Sequence, residues 1–208
     1  MKLFFRYFFL SLLLAGCVLV PILAGIGEGV AEENGVLENV QIALLMLSAL
    51  VFVAQSFSVG RPFRFILWAG AWFCLSCILR ELDVEDFSVP QWVAWVGSGL
   101  GRNLILVAGW IVLGVVAIRT YVEWRELVPR MLCSRSAAYF VASGILLATG
   151  ALFDHEWIAG GHARLLEEIF ESLGYSLLLP ASLLSKSIFG NREMALATQR
   201  FRSRRPVD

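Results

Sequence analysis

The stretch VLENVQIALLMLSALVFVAQSF, residues 36–57, decides the fold. Its one acid, Glu38, stands near the start, and the nineteen residues that follow Glu38 carry no charge. A bilayer core of about 30 Å needs roughly 20 such residues in a helix. The apolar residues run continuously instead of alternating, which favours a helix over a barrel strand, because a helix satisfies its own backbone groups in lipid. Working outward, five further blocks read the same way: residues 7–24, 63–79, 103–118, 137–153 and 165–185. The pattern predicts an all-α, polytopic integral membrane protein, six transmembrane helices in one bundle, with residues 1–208 forming a single transmembrane domain.

Composition agrees. Of 208 residues 58% are hydrophobic and only 16% charged, with a mean hydropathy of +0.73. A soluble domain would carry about 25% charge. Disorder, a coiled coil and an ordinary soluble enzyme are excluded, and a balance of 17 Lys+Arg against 17 Asp+Glu excludes a polybasic nucleic-acid binder.

The charges are sorted by loop. Fourteen basic residues fall on one side of the six spans: Lys2, Arg6, Arg61, Arg64, Arg119, Arg125, Arg130, Arg135, Lys186, Arg192, Arg200, Arg202, Arg204 and Arg205. Only Arg80, Arg102 and Arg164 fall on the other. Four acids share the basic side, and thirteen share the side of the three arginines, so +10 faces −10. Because cytoplasmic loops collect Lys and Arg, the expectation is a bacterial-type inner (plasma) membrane protein with both termini cytoplasmic. Trp92, Trp95 and Trp157 would mark the outer interface and Trp124 the inner one. Membrane lipids are the expected partners, and in the basic cytoplasmic tail of residues 186–208 the run from Arg200 to Arg205 would meet the anionic cytoplasmic leaflet. Leu14-Ala15-Gly16-Cys17 matches a lipoprotein cleavage signal, but the residues after Cys17 stay apolar, which favours an uncleaved first helix.

Pro90 and Gln91 introduce a short interfacial helix, about 91–96, and Gly97, Gly99 and Gly101 read as a flexible break before the fourth span. Pro129 is expected to interrupt any helix in the inner loop.

The candidate site is a layer of polar residues at the outer ends of the spans. Glu38 opens the second span, with Gln41 one turn deeper. Arg80, Glu81 and Asp83 close the third, and Arg102 opens the fourth. Asp154 and His155 close the fifth, His162 follows, and the sixth begins with Arg164, Glu167, Glu168 and Glu171, then Ser172 and Tyr175. Glu168, Glu171, Ser172 and Tyr175 stand at i, i+3, i+4 and i+7, one stripe on a helix. An acid at the depth of Glu171 normally faces the bundle interior and has a partner, for which Arg80 and Arg102 are the nearby cations.

Three functions compete. The favoured one is a non-enzymatic interaction or assembly subunit, with other membrane protein subunits as partners, whose polar layer clamps the bundle and suits a cation. The second is a metal-dependent membrane hydrolase acting on a lipid at the outer leaflet. Its divalent cation, the one cofactor the residues suggest, would be held by His155, His162, Glu168 and Glu171. The third is a proton- or cation-coupled transporter. It needs a polar path inward, whereas the sixth span below Tyr175 reads as apolar up to and past Pro180. The scatter of Asp, Glu and His over helix ends resembles the ceramidase-like membrane hydrolases. Their paired His-x-x-x-His is missing and six spans stand in place of seven, so no residue is carried over.

Cys74 and Cys77 form a C-x-x-C, but no second redox pair accompanies them, and packing is the favoured role. Ser143 is too far along its helix from His155 for a nucleophile and its base. With Ala138, Gly144 and Gly150 it reads as a helix-packing position.

Overall fold

The computed structural model describes residues 36–60, 63–82, 84, 88–154 and 163–189. The first expected span, the Leu14–Cys17 motif, Asp83, His155, His162 and the tail beyond Phe189 lie outside the described residues. Among those described, the chain is helical apart from short connections and contains no strand. The long helices are α1 (Val36–Ser56), α2 (Arg64–Glu81), α4 (Gly99–Arg119), α7 (Arg135–Asp154) and α8 (Ala163–Ser185). Three short ones connect them: α3 (Gln91–Gly97), α5 (Tyr121–Trp124) and α6 (Val128–Leu132).

Three of these are long and apolar enough to cross a membrane, over Glu38–Ser56, Gly99–Arg119 and Arg135–Phe153. The helices α2, with 18 residues, and α8, with 23, carry charges inside their own length. Arg64, Arg80 and Glu81 fall within α2, and Arg164, Glu167, Glu168 and Glu171 within the first turns of α8.

Neighbouring helices meet over glycines. Lipid tails are as apolar as leucine, so helices in a bilayer gain little by merely hiding apolar surface and depend on close packing. A Cβ on Gly70 of α2 would fall 2.9 Å from Phe52 Cε1 of α1. One on Gly174 of α8 would fall 2.8 Å from Leu147 Cγ and 3.3 Å from the Ser143 carbonyl of α7. One on Gly109 of α4 would fall 2.1 Å from Trp72 Cζ2 of α2. Each large side chain therefore seats where a glycine opens the opposite helix. The core gathers around Leu45, Phe52, Leu67, Cys74, Tyr175 and Leu178.

The most enclosed helix is α8. Tyr175, Leu178, Ala181 and Ser182 are fully buried, and Pro180 is carried inside a continuous helix. Such a proline is tolerated where neighbouring helices and hydroxyl groups compensate the lost backbone bond. Ser136 of α7 donates to the Ala181 carbonyl at 2.7 Å, tying the start of α7 to the middle of α8.

Several local expectations change. The expected break at residues 97–101 is confined to Ser98 and Gly99, and α4 begins at Gly99 itself. Gly99 adopts φ +53°, a conformation that glycine takes at little cost. A Cβ on Gly101 would lie 2.0 Å from the Trp95 carbonyl oxygen, so this glycine serves a tight approach of α3 to α4 and not flexibility. In the loop between α4 and α7, Pro129 sits in the first turn of α6, where its missing N–H costs nothing. Of the four expected packing positions, Ser143 and Gly150 face α8, whereas Ala138 and Gly144 are exposed.

Candidate functional site

The polar residues collect where the C-terminal end of α2 meets the first half of α8. The i, i+3, i+4, i+7 spacing on α8 turns Glu168, Glu171, Ser172 and Tyr175 inward, and all four are buried. Arg80 lies in the last turn of α2, where a cation suits the helix dipole. From there its guanidinium forms an ion pair with Glu171, which is only 2% exposed. The same guanidinium stands 3.9 Å from Glu81 and 4.0 Å from Glu167. The Tyr175 hydroxyl donates to Glu81 Oε1 at 2.6 Å. A chain of bonds thus runs from Tyr175 through Glu81 and Arg80 to Glu171 and Glu167, stitching α2 to α8.

Gly150 of α7 backs this cluster. A Cβ there would fall 3.0 Å from Glu171 Cγ and 3.4 Å from the Glu167 carbonyl oxygen. The glycine leaves the room that the glutamate side chain occupies.

A second polar group joins α1 to α8. Gln41 Nε2 donates to Glu168 Oε2 at 3.1 Å and to Ser172 Oγ at 2.8 Å. Gln41 is fully buried, and its Oε1 has no hydrogen-bond partner. Glu38 lies three residues earlier, at the position that shares its helix face with Gln41.

The expected pairing of Arg102 with these acids is not made. Arg102 donates instead to the Leu79 carbonyl at 2.9 Å, satisfying one of the backbone acceptors left free at the end of α2. Because Gly99 starts α4 early, Arg102 lies in its first turn, close to the end of α2. Of the four expected metal ligands, Glu168 and Glu171 are engaged separately, one by Gln41 and the other by Arg80. His155 and His162 lie outside the described residues. The side chain of Asp154, the last residue of α7, is likewise not described. Among the described residues no three His, Cys, Asp or Glu side chains are grouped to hold a metal ion.

Below Tyr175, α8 is less apolar than expected. Ser176, Ser182 and Ser185 are buried there, but each hydroxyl returns to a carbonyl of its own helix three residues back. The Ser185 hydroxyl also stands 2.7 Å from Gln55 Oε1, a second acceptor for its one proton, while Gln55 Nε2 donates to the Leu183 carbonyl at 3.3 Å. This second α1–α8 tie, at the other end of the bundle, was not anticipated from the sequence. The available signal was a glutamine, Gln55, four turns beyond Gln41 on the same helix. Cys74 is buried in the core and Cys77 half-buried, in keeping with a packing role.

Among the described residues the geometry defines an all-helical arrangement with three helices long and apolar enough to cross a membrane, bound at one end by a carboxylate-rich clamp. No family model, no curated protein and no solved structure matches the chain.

Proposed function

We propose that this chain is a non-enzymatic interaction or assembly subunit of a bacterial-type inner membrane. In this reading six helices form one bundle with both termini cytoplasmic, and the carboxylate layer faces outward. The observation that carries it is α4. Only 6% of its membrane-length window is buried, and Leu104, Val107, Ile111, Val115 and Ile118 are exposed along it. It is held near its start, where Arg102 donates to the Leu79 carbonyl and Gly101 packs on Trp95, and midway by Trp72, which seats on Gly109 and donates to the Leu106 carbonyl at 3.4 Å. Gly114 lies on the exposed side with open space around it. Small residues on such a face let a second helix approach closely. The acids meanwhile converge on Arg80, Tyr175 and Gln41, as a clamp requires, and this weighs against the hydrolase reading.

Crosslinking in native membranes tests the reading. A photoreactive side chain at Ile111 should give one discrete protein adduct, which Gly114→Leu removes. Lipid adducts alone at Ile111, Val107 and Val115 would overturn it, as would one bound metal per chain with lipid hydrolysis.

The orientation has its own test. Cys133, exposed between α6 and α7, should react with a membrane-impermeant thiol reagent only after the cells are opened. Labelling of Cys133 in intact cells would reverse the topology.

A further inference from the structure

Between α4 and α7 the chain does not hang as a loop. After Thr120 come α5, a tighter helical turn at Arg125–Leu127, and α6, so residues 121–132 are helical throughout. One face of this stretch is fixed to the bundle. Trp124 Nε1 donates to the Ala117 carbonyl at 2.8 Å, and the Trp124 ring centroid lies 5.7 Å from that of Phe65 at the start of α2. Leu127 is buried in the core, and Trp124 and Met131 pack against it. These three residues, at i, i+3 and i+7, form the docked stripe.

The other face is bare, and it mixes two kinds of side chain. Ile118, Tyr121, Val122, Arg125 and Leu132 are all exposed, Ile118 by 78% and Leu132 by 71%. The first four stand at i, i+3, i+4 and i+7, and they carry the exposed side of α4 past its last residue, Arg119. Arg119 is exposed beside them. From Arg119 to Arg135 four arginines stand against two acids, Glu123 and Glu126, a surplus of two positive charges.

Bare aliphatic side chains are a poor surface for water and a good one for acyl chains. Guanidinium groups set among them suit phosphate oxygens, which they bind through two parallel N–H groups. Apolar and basic residues interleaved at the end of a membrane-length helix match the boundary between acyl chain and headgroup. Uncharged lipid would leave the positive surplus unanswered, and a purely acidic partner would leave Ile118, Val122 and Leu132 without a match.

We propose that the face formed by Ile118, Tyr121, Val122, Arg125 and Leu132, with Arg119 beside it, docks on anionic phospholipid. Ile118, Val122 and Leu132 enter the acyl boundary, while Arg119 and Arg125 each meet a headgroup phosphate. The surface is separate from the run Arg200–Arg205 and needs no partner protein. Its assignment to the cytoplasmic leaflet rests on the orientation given above.

The test is native mass spectrometry of the full chain, equilibrated in detergent with equal amounts of phosphatidylglycerol and phosphatidylcholine. Every measurement uses a background of Arg200→Gln, Arg202→Gln, Arg204→Gln and Arg205→Gln, which removes the tail's charge. Phosphatidylglycerol should be retained in preference, by roughly fivefold for each arginine engaged. Arg125→Gln should remove about one such factor, and Arg119→Gln/Arg125→Gln most of the preference. Arg125→Lys, which keeps the charge but not the fork, should fall between Arg125→Gln and the parent. Leu132→Gln should lower retention of both lipids and leave their ratio unchanged. Should the double variant fail to fold, the two Arg125 variants still decide the matter. Equal retention of the two lipids by the parent overturns the proposal, as does a preference that survives the double variant. Labelling of Cys133 in intact cells would overturn the leaflet assignment alone, because the retention ratio does not depend on which side the segment faces.

Discussion

The helices α4 and α8 are of similar length and opposite in every other respect. The first is apolar almost throughout and mostly exposed, with Gly101 its one buried residue. The second opens with four charged residues and has most of its side chains buried. In water the assignment would be reversed, because burial there follows hydrophobicity. In a bilayer the surrounding lipid accepts apolar surface without penalty, so burial follows polarity instead. Acids, hydroxyls and a proline are costly against lipid and cheap against other helices. The more polar helix therefore becomes the centre of the bundle, and the more apolar one its edge.

The sharpest way to break this comparison is to strand a charge on α8. Arg80→Leu removes the guanidinium that faces Glu171, Glu81 and Glu167. Breaking a fully buried pair in this way costs about 3–5 kcal/mol, and here the loss should be about 2–3, because Arg80 is itself half exposed to solvent. The double variant Arg80→Leu/Glu171→Leu should recover most of it. Equilibrium unfolding in mixed detergent would show both effects. Equal stability of the single variant and the parent would mean that Glu171 is not held by Arg80, and the clamp is lost as an idea.

A smaller effect of the same kind is expected one turn deeper. Tyr175→Phe keeps the ring in the core and deletes only the donor to Glu81. Bonds to charged groups contribute about 1.5–3 kcal/mol in soluble proteins, and interhelical bonds in membranes average about 0.6. A loss of about 1 kcal/mol is expected, without change in helix content by circular dichroism. Partial recovery in Tyr175→Phe/Glu81→Gln would show that the two groups act on each other.

How far the sequence reached follows from the same physics. Hydropathy finds helices through what lipid tolerates, so α1, α4 and α7 stand out by length and lack of charge. Helical spacing finds what lipid does not tolerate, and the stripe Glu168, Glu171, Ser172, Tyr175 was legible for that reason. The pairing of Arg80 with Glu171 was also within reach, since each end has few cations to choose from. Three things were not legible. Arg102 lies near the acids in sequence order, but where α4 begins decides which group it meets, and that start depends on the φ of Gly99. Ala138 and Gly144 look like packing positions as much as Ser143 and Gly150 do, since small residues carry no direction until the helix is docked. Gln41 was visible as a polar residue below Glu38, but that one of its atoms lacks a partner is a fact of three dimensions.

The smallest effect tests the comparison from the side of α4. Gly174 and Gly114 are both glycines within long helices, one packed against Leu147 and the other facing open space. Placing a branched side chain at Gly174 must push Leu147 or the α7 backbone aside, and overpacking of this kind costs about 1–3 kcal/mol. The same side chain at Gly114 touches nothing within the chain. Leucine there should even gain a few tenths of a kcal/mol from helix propensity, since glycine is a poor helix former. Gly174→Val and Gly114→Leu, purified in the same detergent and unfolded side by side, should therefore move in opposite directions. The second change should stay within about 0.5 kcal/mol of the parent. If Gly114→Leu destabilised the isolated chain as much as Gly174→Val, α4 would have to pack against the rest of the chain along that face. Its exposure, and with it the contrast with α8, would not stand. If it leaves stability untouched and removes the Ile111 crosslink in native membranes, the open face of α4 is where a second helix sits.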